Sequence, residues 1–221
     1  NVTTGKYDPD NTMKYDQNDF EMICNEVTDS NCLAIRVDDD RYSDWDSFAA
    51  YWQQEGSLIT SASGLGITSD DATADMLVAN DLGVDVDIIA SGGSGDNVTF
   101  LLNGTTDFLM GNVSEMVAAH NDGQFKILCV FAEERDSNLP DVPTYEELTG
   151  NLVVGCSSRG YAMLKDVPDD IKQILGDAVK AAVQDPDLIE QLNAIYTTTD
   201  YKEGQEYVDY MNQQQQQARE T

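Results

Sequence analysis

The chain of 221 residues carries 41 Asp and Glu against 12 Lys and Arg, a formal net charge of −29. That balance weighs against nucleic acid and anionic membrane surfaces as partners, since both select basic patches, and it describes a strongly hydrated surface. Hydrophobic residues make up 41% of the sequence, enough for a packed core in one large or two small domains, and no apolar run approaches the length of a transmembrane helix.

In chain order, the first twenty residues are polar, with Asp8-Pro9-Asp10, and read as loop. Residues 20–26 and 32–37 read as two extended segments. Residues 44–55 place Trp45, Phe48, Ala49 and Trp52 at spacings of three and four, one apolar helix face with Ser43 as N-cap. A short apolar run at residues 57–60 enters the loop Ser61-Ala62-Ser63-Gly64-Leu65-Gly66-Ile67-Thr68, and a helix carrying Ala72, Met76, Leu77 and Ala79 leaves it. Residues 84–90 lead into a second loop, Ser91-Gly92-Gly93-Ser94-Gly95-Asp96, and a helix that stops at Asn103-Gly104. A buried strand at 107–110 opens into Gly111-Asn112-Val113-Ser114 and a helix at 115–120, and residues 125–132 form the next strand. Strand–loop–helix units at this pace predict an α/β domain with a largely parallel sheet. After a Pro-punctuated connection, residues 152–157 read as strand. Pro168-Asp169-Asp170 then starts a helix with the apolar face Ile171, Ile174, Leu175, Ala178, Val179 and Ala182. Asp185-Pro186-Asp187 starts another, and the tail ends as an exposed helix with five consecutive glutamines.

Catalysis is hard to build from these residues. His120 is the only histidine and sits at a predicted helix C-terminus, where it compensates the dipole. No Gly-x-Ser-x-Gly elbow, Walker lysine or His-Glu-x-x-His occurs, and the four cysteines form no zinc pattern, so no catalytic residue, metal or cofactor is expected. An even cysteine count allows disulfides in an oxidising compartment, Cys24 and Cys32 being the nearest pair; four buried thiols are the alternative. What stands out is three loops at one end of the predicted sheet, rich in Gly, Ser, Thr and Asn. Neutral donors at helix N-termini hold anions without a cation, and open α/β sheets bind ligands beyond the carboxyl ends of their strands. The ligand residues expected on this basis are Ser63, Gly64, Leu65, Gly66, Thr68, Ser91, Gly92, Gly93, Asn112 and Ser114.

In order, these loops resemble the substrate-binding proteins of tripartite tricarboxylate transporters, the TctC-like or Bug receptors. Ser61-Ala62-Ser63-Gly64-Leu65-Gly66-Ile67 matches in part the family's Gly-Ser-Ser-Gly-x-Gly-Ser loop, and Ser91-Gly92-Gly93-Ser94-Gly95 stands for its next glycine loop. Asn103-Gly104-Thr105-Thr106-Asp107 corresponds to Gly-Gly-x-Val-Asp. The stretch from Arg135 to Thr144, with Leu139-Pro140-Asp141-Val142-Pro143-Thr144, carries Arg-Ser-x-x-Leu-Pro-Asp-Val-Pro-Thr nearly intact, and Asp185-Pro186 interrupts the terminal helix as in the family.

The resemblance implies a type II periplasmic-binding-protein fold of two lobes closing over a carboxylate held by backbone amides. It further implies a partial first lobe and hinge at residues 1–32, a complete second lobe at 33–131 and a return to the first lobe at 132–221. The expected partners are a small di- or tricarboxylate and membrane transporter subunits, in the periplasm or another extracytoplasmic space. No charged-then-apolar leader precedes Asn1, as expected of a cytosolic, processed or truncated chain. Three departures accompany the resemblance. The usual Tyr-Lys before the second glycine loop is replaced by Ser91-Gly92; Trp-x-Gly appears as Ser158-Arg159-Gly160; and the family's N-terminal Pro-Gly-Gly loop is absent. The second departure puts Arg159 where it pairs with a second carboxylate or forms a surface ion pair, and the third is expected to expose apolar surface and favour a dimer. A ligand sensor for a signalling receptor and a phosphate- or nucleotide-using enzyme are the alternative functions.

Overall fold

The computed structural model describes residues 14–15, 17–64 and 69–220. The chain divides into two compact units, one of Asn1–Asp29 with Ser158–Thr221 and one of Ser30–Ser157. The second crossing lies later than residue 132 because the intervening segment belongs to the larger unit's core. Val130 donates its N–H to Pro143 O at 3.0 Å, Gly155 donates to Phe131 O at 3.0 Å, and Leu139, Val142 and Tyr145 are buried there.

The two extended segments expected near the start are one strand, β1 (Phe20–Arg36). In the larger unit its second half pairs antiparallel with β4 (Leu109–Asn112) from Asn31 to Ala34 and with β5 (Phe125–Val130) from Cys32 to Arg36. A separate parallel pair, β2 (Ser57–Ala62) and β3 (Asp85–Ala90), keeps an unbroken register from Ser57↔Asp85 to Ala62↔Ala90. The sheet is therefore less parallel than the repeating units suggest, because β1 runs opposite to both of its neighbours. The crossover between β2 and β3 is α2 (Asp70–Leu82), while α3 (Ser94–Leu102) follows β3 and α4 (Val113–Asn121) follows β4.

Alternation along β1 decides which face each residue feeds. Leu33 and Ile35 enter one core with Trp52, Phe48 and Phe108, whereas Cys32 and Ala34 enter the other with Leu109 and Val117. The first core is largely the work of α1 (Trp45–Glu55), whose apolar spacing buries Trp45, Phe48 and Trp52. Its N-cap is Asp44 rather than Ser43: Asp44 accepts the Ser47 N–H at 3.0 Å and the Ser47 hydroxyl closes a capping box. His120 ends α4 with its Nδ1 accepting the Ile127 N–H at 3.2 Å, so it ties a helix to β5.

In the smaller unit the first half of β1 pairs antiparallel with β7 (Thr199–Glu203) and also pairs with β6 (Cys156–Leu164). Three helices accompany them, α6 (Asp169–Val183), α7 (Pro186–Ala194) and α8 (Gly204–Glu220). The core is small, with Ile23, Cys24 and Val183 packed against Met163, Val179 and Tyr201. Of the apolar face expected of α6, Val179 packs against this core, whereas Ile171, Ile174 and Leu175 are exposed, Ile174 at 67%. All four cysteines are thiols, none joined in a disulfide. Cys24 and Cys32 lie eight residues apart on β1, far beyond the reach of a disulfide along an extended strand, which corrects the expected pairing.

Candidate functional site

The site is built where β2, β3 and β4 end and α2, α3 and α4 begin. β2 and β3 finish level, and Ser91 locks them there by donating both its N–H (3.0 Å) and its hydroxyl (3.1 Å) to Ala62 O. The three helix N-termini then differ in how their donors are used. Acidic residues stand in the first turn of all three, Asp70 and Asp71 in α2, Asp96 in α3 and Glu115 in α4, and α2 alone among them has a side-chain cap, Ser69 accepting the Ala72 N–H at 3.3 Å. At α3 the N-cap is Gly93, with φ 147° and ψ −179°, a conformation kept for glycine, and it supplies no side-chain acceptor. At α4 the N-cap Asn112 likewise makes no side-chain cap. Its amide instead donates to Asp70 Oδ2 at 3.4 Å, as Asn31 donates to Asp71 Oδ1 at 3.0 Å. Two amides from neighbouring strands thus hold the first turn of α2 in place.

Of the residues expected to bind ligand, Ser91, Gly92, Gly93, Asn112 and Ser114 gather at these termini. Gly92 spends its N–H on Asp96 Oδ2 (3.1 Å), a carboxylate of the same chain seated in the loop, and Gly93 donates to Ser91 Oγ at 3.4 Å. Ser63 is exposed and Gly64 half-buried beside Ser69, while Leu65, Gly66 and Thr68 lie outside the described residues. Arg159 belongs to the smaller unit, where its Nη1 stands 3.6 Å from Asp29 Oδ2. An ion pair is the alternative role expected of it, and the partner here is a nearly buried carboxylate rather than a surface one.

Between the first turns of α3 and α4 and the end of β4 lies a pocket with a cavity volume of about 10 Å³, lined by Asp71, Ser94, Asn97, Gly111, Glu115 and Met116 among others. That is the space of one water-sized group. Asn31, Asp71, Asn97 and Glu115 were missed from sequence. For Asp71, Asn97 and Glu115 the signal is position, since residues in the first turn of a helix that follows a strand face the same rim as the loop; Asn31, on β1, carries no such signal. One turn on from Asp71 in α2, Asp75 is fully buried and neither carboxyl oxygen has a hydrogen-bond partner. Burial, with the Asp71 carboxylate beside it, pushes Asp75 well above the usual carboxylate range. The folded state therefore holds a proton that the unfolded chain gives up near pH ~3.9, and stability is lost as pH rises above that value. Asp75→Ala is expected to stabilise the chain at pH 7 by about 1–2 kcal/mol, with the gain shrinking toward pH 4. Urea titrations of both proteins at pH 7, 5.5 and 4 check this, and a destabilised variant at pH 7 overturns it.

Among the described residues no cluster of three or more His, Cys, Asp or Glu is placed to hold a metal ion, and no helix is long and apolar enough to cross a membrane. Residues 3–221 match the family described as the tripartite tricarboxylate transporter family receptor. The chain belongs to that family. A relative in Agrobacterium vitis, a "UPF0065 protein in the TAR-I ttuE-ttuC' intergenic region", is 29% identical over 136 residues, 61% of this chain and 38% of its own length. The chain therefore spans well under half of that curated relative. Among solved structures, a TctC solute-binding protein from Polaromonas is 24% identical with a TM-score of 0.74, over 93% of this chain and 70% of that one. MatC from Rhodopseudomonas palustris, solved with bound malate, is 21% identical with a TM-score of 0.80, over 98% and 74%. The fold is that of the periplasmic solute-binding proteins.

Within this TctC fold the family's most recognisable stretch is a brace. Arg135 grips the Glu147 carboxylate through Nε (2.8 Å) and Nη2 (2.9 Å) and donates through Nη1 to Pro140 O at 3.1 Å. Glu147 also accepts the Thr144 N–H, and Thr144 in turn caps α5 (Tyr145–Thr149). Asp107 is a second brace: its Oδ2 accepts the Ile59 N–H at 2.8 Å, its carbonyl accepts the Tyr42 hydroxyl at 2.7 Å, and Arg41 bridges it to Asp39. Those Arg41 hydrogen bonds hold Asp39 down to about 2. The residues that mark the family in sequence thus fasten the frame around the loops.

Proposed function

We propose that the chain is the solute-capturing subunit of a tripartite tricarboxylate-type transporter, holding a small organic carboxylate at the N-termini of α3 and α4 and passing it to membrane subunits outside the cytoplasm. One observation carries this reading: two adjacent helices begin at the carboxyl ends of their strands with N-caps, Gly93 and Asn112, that provide no side-chain acceptor. A carboxylate supplies the missing acceptor and meets the positive end of each dipole. The Gly92 N–H already donates to a carboxylate oxygen of the chain itself, Asp96 Oδ2, which supports the reading, and a ligand carboxylate would take its place. MatC, of the same fold, was solved with malate, which agrees with a carboxylate ligand. The reading needs no turnover and no cofactor.

A thermal-shift panel of organic acids, inorganic phosphate and nucleotides tests it. A bound acid at a hundredfold excess over its Kd adds about 2.7 kcal/mol, a rise in Tm of roughly 5–10 °C for a chain of this size. Stabilisation by nucleotides alone overturns the transporter reading.

A further inference from the structure

We infer that Asn103 is an N-glycosylation acceptor, modified outside the cytoplasm by an oligosaccharide carried on a polyprenyl phosphate. The inference rests on the extracytoplasmic part of the reading above and on nothing about the ligand. Four tripeptides of the chain have the acceptor pattern Asn-x-Ser/Thr: Asn1-Val2-Thr3, Asn97-Val98-Thr99, Asn103-Gly104-Thr105 and Asn112-Val113-Ser114. The first lies outside the described residues. The fold closes two of the others. Asn97 is 3% exposed inside α3, and the Thr99 hydroxyl is spent on Gly95 O at 2.9 Å. Asn112 is nearly buried, and its Nδ2, the atom that would carry the sugar, donates to Asp70 Oδ2. A sugar ring on either nitrogen finds no room in a close-packed interior.

At Asn103 all three residues are exposed. Asn103 is the C-cap of α3, and Gly104, with φ 77°, turns the chain away from the helix. Thr105 directs both its donors at one atom: its N–H (2.9 Å) and its hydroxyl (2.6 Å) donate to Asn103 Oδ1. Donors on that oxygen polarise the carboxamide and ease loss of a proton from Nδ2. Nδ2 itself makes no hydrogen bond among the described residues. In the transfer, Nδ2 bonds to the anomeric carbon of the donor's first sugar as the bond from that carbon to the phosphate oxygen breaks. The lipid phosphate leaves with the bonding electrons, and one Nδ2 proton passes to a base of the transferase. The nine residues of α3 put Asn103 roughly 14 Å from Gly93, so sugar grows from the end of the helix opposite the proposed ligand site.

The test exports the 221-residue chain, behind an added secretion leader, from cells that hold an oligosaccharyltransferase, and maps the glycopeptides of the folded product by mass spectrometry. The expected result is sugar on Asn103 and none on Asn97 or Asn112. Thr105→Ala is expected to abolish the modification with the circular-dichroism spectrum unchanged, and Thr105→Ser, which keeps the hydroxyl, to retain it. An Asn103 recovered bare, or merely deamidated, overturns the inference. Sugar on Asn97 or Asn112 of the folded product overturns it as well, because burial then fails to select the acceptor. Since the leader imposes export, these outcomes are independent of the carboxylate reading, which stands or falls on its own thermal-shift panel.

Discussion

Trp52→Ala is expected to destabilise the larger unit by about 4 kcal/mol, in the range for removing a large buried aromatic. Trp52 is 0% exposed and packs on Phe48 at 5.6 Å and Phe108 at 4.8 Å between ring centroids. Its Nε1–H also donates to Asp85 O at 2.9 Å, so the ring joins α1 to the first residue of β3. That strand ends at Ala90, immediately before the Ser91–Gly93 loop, and loosening it unfixes the proposed ligand site as well as the core. Urea unfolding followed by circular dichroism gives the midpoint and slope, and an unchanged slope with a large midpoint shift is expected. Trp52→Phe keeps most of the ring contact and loses the indole hydrogen bond, so its loss is expected near ~1–2 kcal/mol. A loss below ~1 kcal/mol for alanine would show that the first core tolerates a void the size of an indole, against the close packing of protein interiors.

Much of the frame is written in apolar spacing. The period of Trp45, Phe48 and Trp52 and the stop at Asn103-Gly104 locate helices that the structure contains. β1 escapes the same reading because Thr28, Asp29, Ser30 and Asn31 interrupt its apolar run. Pairing with strands on either side keeps a polar stretch extended, and pairing is non-local. β7 is missed for the same cause, since Thr199-Asp200-Tyr201-Lys202-Glu203 is polar and only half-buried. α6 errs in the opposite direction: amphipathicity states which face favours burial, and Ile174 shows that it does not state what covers that face.

The candidate site divides in the same way. Glycine and serine announce the loops, because few other residues permit their turns. Asp70, Asp71 and Glu115 announce nothing, because acids are ordinary in a helix's first turn. Only the convergence of α2, α3 and α4 brings Asp71 and Glu115 to one pocket. The resemblance to the TctC receptors located the fold through residues such as Arg135 and Asp107, which brace it. A net charge of −29 adds a physical demand of its own. An anionic ligand, as proposed, would approach against the field of the whole molecule, and the proposed hold through oriented amides acts at short range where that field weighs least.

Two glycine-to-alanine changes in the smaller unit are expected to move stability in opposite directions, and the contrast separates space from conformation. Neither Gly160 nor Gly176 has a positive φ. A Cβ on Gly160 would lie 2.6 Å from the Cys24 carbonyl oxygen and 3.1 Å from Asn25 Cα, both backbone atoms of β1, with the Tyr207 hydroxyl closer still. A flexible side chain can swing away, whereas the backbone of a paired strand cannot. Gly160→Ala therefore forces β6 off β1 and is expected to cost about 3 kcal/mol, the upper end for overpacking. It also shifts Arg159, the preceding residue, from Asp29, whose nearly buried carboxylate it faces. A Cβ on Gly176, inside α6, meets nothing within 4 Å. There alanine removes only the entropic handicap of a helical glycine, and Gly176→Ala is expected to gain ~0.5–1 kcal/mol. Thermal and urea unfolding of the two variants beside the parent chain decide the matter. Equal effects of either sign would mean that close approach of β6 to β1 at Gly160 is not what requires glycine in the family's Trp-x-Gly position.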